Sequence, residues 1–108
     1  MNAHAAIDFI ILNSGDYAKA KAKRVYLEEF RKSKKALLMK EAILKFEAVN
    51  AQEREAYSHP EYQELLKGLA AAIEVEEELK WKLEAARMRT DVWRTEQATA
   101  RAEGRATE

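Results

Sequence analysis

Residues that interrupt helices are scarce in this sequence, which has three glycines and one proline in 108 residues. The strands of a β-sandwich or β-barrel are joined by frequent turns, and such turns are rich in glycine and proline. An all-β fold is therefore close to excluded. The stretches between the few breaks are rich in Ala, Leu, Glu, Lys and Arg, which lose little free energy on entering a helix. The sequence predicts an all-α fold.

The breaks fall near Gly15, at residues 58–60 and at Gly104, and they divide one predicted domain that spans residues 1–108. We expect a short apolar helix over residues 1–15, a first long helix over 16–57, a turn at 58–60, a second long helix over 60–103 and a frayed tail over 104–108. Pro60 suits the first position of a helix, where its missing N–H has no helical partner. A kink or break at residues 49–52 would also fit the sequence.

Two long helices joined by a short turn are antiparallel neighbours, so we expect a helical hairpin of the coiled-coil type. The second long helix carries two columns of residues with a seven-residue repeat, the first apolar throughout and the second apolar only in its early part. The first column is Leu65, Ala72, Leu79, Ala86, Trp93 and Ala100, and the second is Tyr62, Leu69, Glu76, Leu83, Thr90 and Gln97. Six consecutive apolar positions at this spacing indicate a coiled-coil seam.

The first long helix has a broader apolar stripe, which includes the column of Phe30, Leu37 and Leu44. Because so wide a stripe can serve two partner helices, we expect the hairpin to dimerise into an assembly that resembles a four-helix bundle. Trp81 shares its column with Met88, away from the main seam, and is expected either to cover this interface or to form a binding hot spot for a partner. The predicted dimer or partner surface comprises Tyr26, Phe30, Leu37, Leu38, Met39 and Trp81.

Charge is balanced overall, with 19 basic and 19 acidic residues, but it is distributed unevenly along the chain. Residues 17–46 contain ten basic and three acidic side chains, whereas residues 47–80 contain three basic and nine acidic ones. A hairpin folded at Ser58 would place the acidic residues 74–78 opposite lysines of residues 34–45. The basic side chains of residues 19–35 either keep the coiled coil soluble and pair across it, or contact nucleic acid, or contact an acidic protein. For the last two cases the predicted contact residues are Lys19, Lys23, Arg24, Arg31, Lys35, Arg94 and Arg101.

No arrangement of residues predicts catalysis, a metal site or a cofactor. The chain has no cysteine, and its two histidines are His4 and His59. Glu55 and His59 are four residues apart near Glu53 and Glu61, but a solvated turn explains them better than a metal site does, since bundle metal sites face inward. The longest apolar run is far shorter than a membrane span of ~20 residues, and it has no signal-peptide features. We therefore expect a non-enzymatic protein of the cytoplasm.

Several segments resemble small helical proteins of temperate tailed phages and their prophages. These are DYAKAK at residues 16–21, VYLEEFRKSKKALLM at 25–39, QEREAYSHPEY at 52–62 and VWRTE at 92–96. The resemblance covers most of the chain from residue 16 to residue 103, and it implies a phage accessory protein encoded among genes for recombination and replication. It supplies no catalytic residue.

Two functional hypotheses follow. In the first, the protein is a helical adaptor or inhibitor that binds a phage or host protein of DNA metabolism. In the second, it is an accessory protein that binds nucleic acid directly through the basic end of the hairpin. Both place the protein in the cytoplasm of the host cell, with a second copy of itself as a further partner.

Overall fold

A computed structural model describes residues 2–107 as three helices, α1 (Ala3–Ala42), α2 (Val49–Ser58) and α3 (Pro60–Thr107). No strand occurs between residues 2 and 107, so the all-α prediction is confirmed. Asn2 caps the start of α1, where its side-chain oxygen accepts a hydrogen bond of 2.8 Å from the backbone N–H of Ala5. Over the part of the chain described here, no helix combines the length and apolarity that a membrane span requires.

The expected break at Gly15 is wrong, because α1 runs without interruption from Ala3 to Ala42. The side chains that suit a cap bond backwards into the same helix instead. Asn13 donates a hydrogen bond of 2.9 Å to the carbonyl of Phe9. Helix-favouring neighbours on both sides offset the ~1 kcal/mol that an interior glycine costs. Residues 3–15 are therefore part of α1 and not a separate helix, and Met1 of the predicted segment lies outside the described residues.

The frayed tail predicted over residues 104–108 is wrong as far as Thr107, since α3 continues through Gly104 to that residue, and Glu108 lies outside the described residues. Gly104 is exposed, as are all residues from 94 to 106, and a Cβ atom at that position would meet no atom within 4 Å outside its own turn of the helix. Nothing in its surroundings demands the conformation that ends a helix, so the glycine is accommodated as an ordinary helical residue.

The expected first long helix over residues 16–57 is also wrong, because the helix ends at Ala42 and the chain turns over residues 43–48. The weak stretch predicted at residues 49–52 begins α2 instead. Gln52 stabilises this turn, since its buried side-chain amide donates hydrogen bonds to the carbonyls of Phe46 (2.9 Å) and Glu47 (3.3 Å). A side chain thus satisfies two carbonyls that have no helical partner.

The turn predicted at residues 58–60 is confirmed in position. α2 ends at Ser58 and α3 begins at Pro60, so that His59 alone separates them. The Nδ1 atom of His59 accepts a hydrogen bond of 3.1 Å from the backbone N–H of Glu61, which makes its imidazole the cap of α3. The proline occupies the first helical position, as the sequence predicts.

The chain divides into two compact units, unit 1 formed by residues 2–18 and 77–107 and unit 2 formed by residues 19–76. The prediction of one domain over residues 1–108 stays a prediction. In unit 2, α1 and α3 are antiparallel, since Arg24 contacts Glu76 while Lys34 contacts Glu61. In unit 1 the two helices are also antiparallel, with His4 near Trp93 and Ile10 near Leu83.

The two predicted columns of α3 face inward over most of their length. In unit 2, the inward residues are Tyr62, Leu65, Leu69, Ala72 and Glu76. In unit 1 they are Leu79, Leu83, Ala86, Thr90 and Trp93. Gln97 and Ala100 are exposed, so the seam ends at Trp93.

The inner face of α1 differs from the predicted apolar stripe. In unit 2 it contains charged residues at Arg24, Arg31 and Lys34, which are half-buried, together with Leu27 and the buried Leu38. Phe30 and Leu37 are exposed on another face. Arg24 and Lys34 can face inward because they pair with Glu76 and Glu61 of α3. The neighbouring Lys35 pairs with Glu53 of α2.

The assignment of Leu38 to a dimer or partner surface is wrong. Leu38 is 3% exposed and forms the core of unit 2 with Ala56 and Tyr62, against which Met39 and Leu66 pack. α2 folds back over this part of α1, so one short helix covers the side chain that the sequence assigned to another copy. Met39 is half-buried at the edge of the same core.

Candidate functional site

The seven basic residues predicted to contact nucleic acid or an acidic partner have different environments. Arg94 and Arg101 belong to unit 1 and the other five belong to unit 2. Arg24 and Lys35 are held by carboxylates, and Arg94 lies 4.0 Å from Asp91 on the same helix. Within residues 2–107, the remaining four make no ion pair. These four are Lys19, Lys23, Arg31 and Arg101.

Arg24 forms the most extensive ion pair of unit 2. Its Nε atom lies 2.6 Å from Oε2 of Glu76, its Nη2 atom lies 3.0 Å from Oε1 of Glu76, and its Nη1 atom lies 3.0 Å from Oε2 of Glu28. The hydrogen bonds that Arg24 donates to Glu76 hold the pKa of the guanidinium above its ordinary value, against the opposing effect of partial burial. Arg24 therefore connects α1 to α3 and is not available to a phosphate group.

The two lysines at residues 34 and 35 attach different helices to α1. Lys34 Nζ lies 2.6 Å from a carboxylate oxygen of Glu61 on α3, and Lys35 Nζ lies 2.8 Å from one of Glu53 on α2. Lys35 also sits 4.6 Å from the ring centre of Tyr57. Hydrogen bonds from these lysines lower the pKa of both carboxyl groups. Lys34 and Lys35 thus hold α3 and α2, respectively, against α1.

Three of the residues considered above as metal ligands already have partners in unit 2. Glu53 and Glu61 bind lysines, and His59 accepts the hydrogen bond that caps α3. In the described portion, residues 2–107, no group of three or more ligating side chains is arranged to hold a metal ion.

The clearest candidate site in unit 2 is an exposed apolar surface on α1. Tyr26 and Phe30 stack with ring centres 5.8 Å apart and planes inclined by 9°, and Leu37 follows seven residues after Phe30 on the same side of the helix. All three are exposed, with Leu37 at 54%. Sequence reasoning assigned these residues to a partner surface. We call these three residues the outer face of unit 2.

A groove of about 470 Å³ lies beside Phe30 in unit 2. Pro60 and Leu65 supply its apolar wall, and Lys34 and Glu61 are at its polar side. Because this concave surface adjoins an exposed aromatic ring, the outer face of unit 2 offers a partner both a projecting ring pair and a recess.

A second exposed apolar surface belongs to α3 in unit 1. It contains Trp81, which is 62% exposed, together with Ala85, Met88 and Val92. We call these four residues the outer stripe of unit 1. The sequence prediction placed Trp81 in one column with Met88 and assigned only Trp81 to a partner surface, although the spacing of four, three and four residues was a signal for the whole stripe.

Comparisons of this chain with protein-family models, with curated proteins and with solved structures gave no match.

Proposed function

We propose that the protein is a non-enzymatic interaction protein that binds a partner protein through the outer face of unit 2. The observation that carries this proposal is the stacked pair of Tyr26 and Phe30, which is exposed on α1 although the other side of that helix already packs on α3. Aromatic side chains of this kind contribute most of the binding energy at many protein interfaces.

The proposal extends to the class of partner. The resemblance of residues 25–39 and 52–62 to small phage proteins supports an adaptor or inhibitor that acts in the host cytoplasm on a phage or host protein of DNA metabolism. We also propose that two copies associate into an assembly that resembles a four-helix bundle, because both units expose apolar residues on helices that are already paired.

A capture experiment with matched variants tests the proposal. The tagged protein is incubated with lysate of bacteria that carry a tailed-phage prophage, and retained proteins are identified by mass spectrometry. We expect a specific partner that is lost when Phe30 and Leu37 are both changed to Ser. Leu44→Ser is the control, since Leu44 is 92% exposed but lies in the turn after α1. A partner retained equally by all three proteins would contradict the proposed surface.

A second candidate function is direct nucleic-acid binding, supported by Lys19 and Lys23, which are exposed and make no ion pair within residues 2–107, and by the nearby Tyr26. A phosphate contact of this kind predicts an affinity that falls steeply as salt releases condensed counterions. We expect Lys19→Glu/Lys23→Glu to abolish a gel shift of single-stranded and duplex DNA, while Lys67→Glu leaves it unchanged. Failure of the unmodified protein to retard DNA at low salt would remove this candidate.

A further inference from the structure

The helix α3 has a second heptad pattern in unit 1, on the side that does not face α1. Leu83, Ala86, Thr90 and Trp93 form the inner seam, whereas the outer stripe of Trp81, Ala85, Met88 and Val92 is exposed. Steps of four, three and four residues are those of the a and d positions in a coiled coil. This part of α3 is therefore patterned for two helical neighbours, of which α1 supplies one.

The charges beside the outer stripe are segregated. One flank is acidic, with Glu77, Glu84 and Asp91 at intervals of seven residues, and the other flank is basic, with Lys82 and Arg89. In heptad terms, taking Ala85 and Val92 as a positions, the acidic residues occupy g positions and the basic residues occupy e positions.

This arrangement of charge distinguishes between the two orientations of a second copy. When two such helices run parallel, a g residue faces the e residue five positions later in the other helix, so Glu77 would meet Lys82 and Glu84 would meet Arg89. When they run antiparallel, each flank faces its own copy and like charges meet. Asp91 would face Glu96 in the parallel pair, so the matched stretch ends beside Val92.

We propose that α3 of unit 1 pairs in parallel with α3 of a second copy through the outer stripe, with the ion pairs Glu77–Lys82 and Glu84–Arg89 between copies. This inference rests on the proposed self-association and assigns it a surface and an orientation. A groove of about 710 Å³ lies directly beside the stripe, and it is lined by Phe9, Ala85 and Ala86 together with Lys82 and Arg89. It gives the Trp81 indole of the second copy an apolar surface on which to pack.

The contacts that Lys82 and Glu84 make within α3 do not oppose this pairing. Lys82 Nζ lies 2.9 Å from Glu78, and Arg87 lies 3.4 Å from Glu84, and all four side chains are more than two-fifths exposed. Exposed pairs between neighbouring turns of one helix contribute at most about 0.5 kcal/mol, so they exchange readily for pairs between helices.

Orientation is tested by disulfide cross-linking, which is clean because the chain has no native cysteine. Thr95 continues the column of Trp81 and Met88, so Thr95→Cys places two thiols side by side in the parallel pair. In an antiparallel pair centred on the stripe, the two residues would be about 25 Å apart along the axis at 1.5 Å per residue. Gln97→Cys is the matched control, since Gln97 is also exposed but belongs to the opposite column.

We expect mild oxidation to cross-link Thr95→Cys into a covalent dimer and to leave Gln97→Cys largely uncross-linked. A protein that sediments as a dimer but does not cross-link at Thr95→Cys overturns this inference while the proposed self-association stands. A wild-type protein that sediments as a monomer at high micromolar concentration overturns both.

The ion pairs are tested by charge variants in sedimentation velocity. Glu77→Lys/Glu84→Lys makes both flanks basic, and Lys82→Glu/Arg89→Glu makes both flanks acidic. We expect each variant alone to be monomeric and an equimolar mixture to form dimers. All four substitutions in one chain restore opposite charges across a parallel pair, so that chain should again dimerise. If both double variants dimerise as the wild type does, the assigned ion pairs are wrong.

Discussion

Both carboxylate oxygens of Glu76 accept hydrogen bonds from the guanidinium of Arg24, at 2.6 Å and 3.0 Å. Glu76 occupies an inward position of α3 and is 6% exposed, among Tyr62, Leu69 and Ala72 of the same face. A buried charged side chain in an otherwise apolar column of α3 satisfies its hydrogen bonds in one register of the two helices only. The pair therefore specifies how α1 and α3 align in unit 2.

We predict that Glu76→Gln lowers the free energy of unfolding by about 1–3 kcal/mol, the usual effect of losing a hydrogen bond to a charged group. The amide cannot accept both bonds from Arg24 with the strength of a carboxylate. Urea unfolding followed by circular dichroism measures the change. Glu28→Gln is the control, because Glu28 forms the more exposed contact with Arg24 on the same helix. Equal effects of both substitutions would show that Glu76 does not have the assigned role.

The register set by this pair could not be read from the sequence. A hairpin folded at Ser58 alone predicts that Glu76 faces lysines of residues 34–45, whereas it faces Arg24. The difference arises because residues 43–58 form a turn and a separate short helix, which removes them from the long hairpin. The seven-residue pattern of α3 was readable because its inward positions are almost all apolar. The break at residues 43–48 was not, since it depends on hydrogen bonds from Gln52 and contains neither glycine nor proline.

We predict opposite outcomes for two adjacent leucines of α1. Leu38→Ala should reduce the free energy of unfolding by about 2–4 kcal/mol, since it opens a cavity against Ala56 and Tyr62. Leu37→Ala should change it by less than about 0.5 kcal/mol, because Leu37 is 54% exposed. Chemical denaturation of both variants measures the difference. Similar values would mean that the buried face of α1 lies elsewhere.

The neighbouring leucines also show why the candidate surface was only partly predictable. Residues 37–39 form an apolar run, and such a run alone does not tell which of its members faces inward. Burial of Leu38 is decided by α2, whose Ala56 packs against it. Tyr26 and Phe30, in contrast, are four residues apart and share one side of any helix, so their grouping on one surface was readable from spacing.

We predict that Gly15→Ala stabilises the protein by about 0.5–1 kcal/mol. Gly15 lies inside α1, and a Cβ atom there would have no neighbour within 4 Å, so the substitution removes backbone freedom from the unfolded chain without a clash. Thermal unfolding of both proteins at one concentration tests this. Gly104→Ala is the comparison, and its gain should be smaller because α3 ends three residues later. A loss of stability at Gly15→Ala would mean that α1 is broken there in solution.

The last prediction concerns acid. Hydrogen bonds from Lys35 and Lys34 lower the pKa of Glu53 and Glu61 from the ordinary value of 4.5 in the folded protein. Between that ordinary value and the lowered one, the unfolded chain binds protons that the folded protein does not bind. The stability that these two carboxylates contribute is therefore fully present above pH 4.5 and is lost as the pH falls through the lowered values. Lys35 adds no slope in this range, because its pKa is raised and it keeps its proton in both states.

Glu53→Gln/Glu61→Gln should accordingly melt at a lower temperature than the wild type at pH 7, and the difference should shrink as the pH falls below 4.5. Circular dichroism melts at closely spaced pH values between neutrality and strong acid give the two curves. Glu64→Gln serves as the control, since Glu64 makes only an exposed contact with Lys67 on its own helix and should leave the curve unchanged. Parallel curves for the double variant and the wild type would show that the two lysine contacts do not stabilise the fold in solution. If the melting temperature of the double variant is lower at neutral pH and approaches that of the wild type in acid, while Glu64→Gln follows the wild type throughout, then Glu53 and Glu61 attach α2 and the start of α3 to α1.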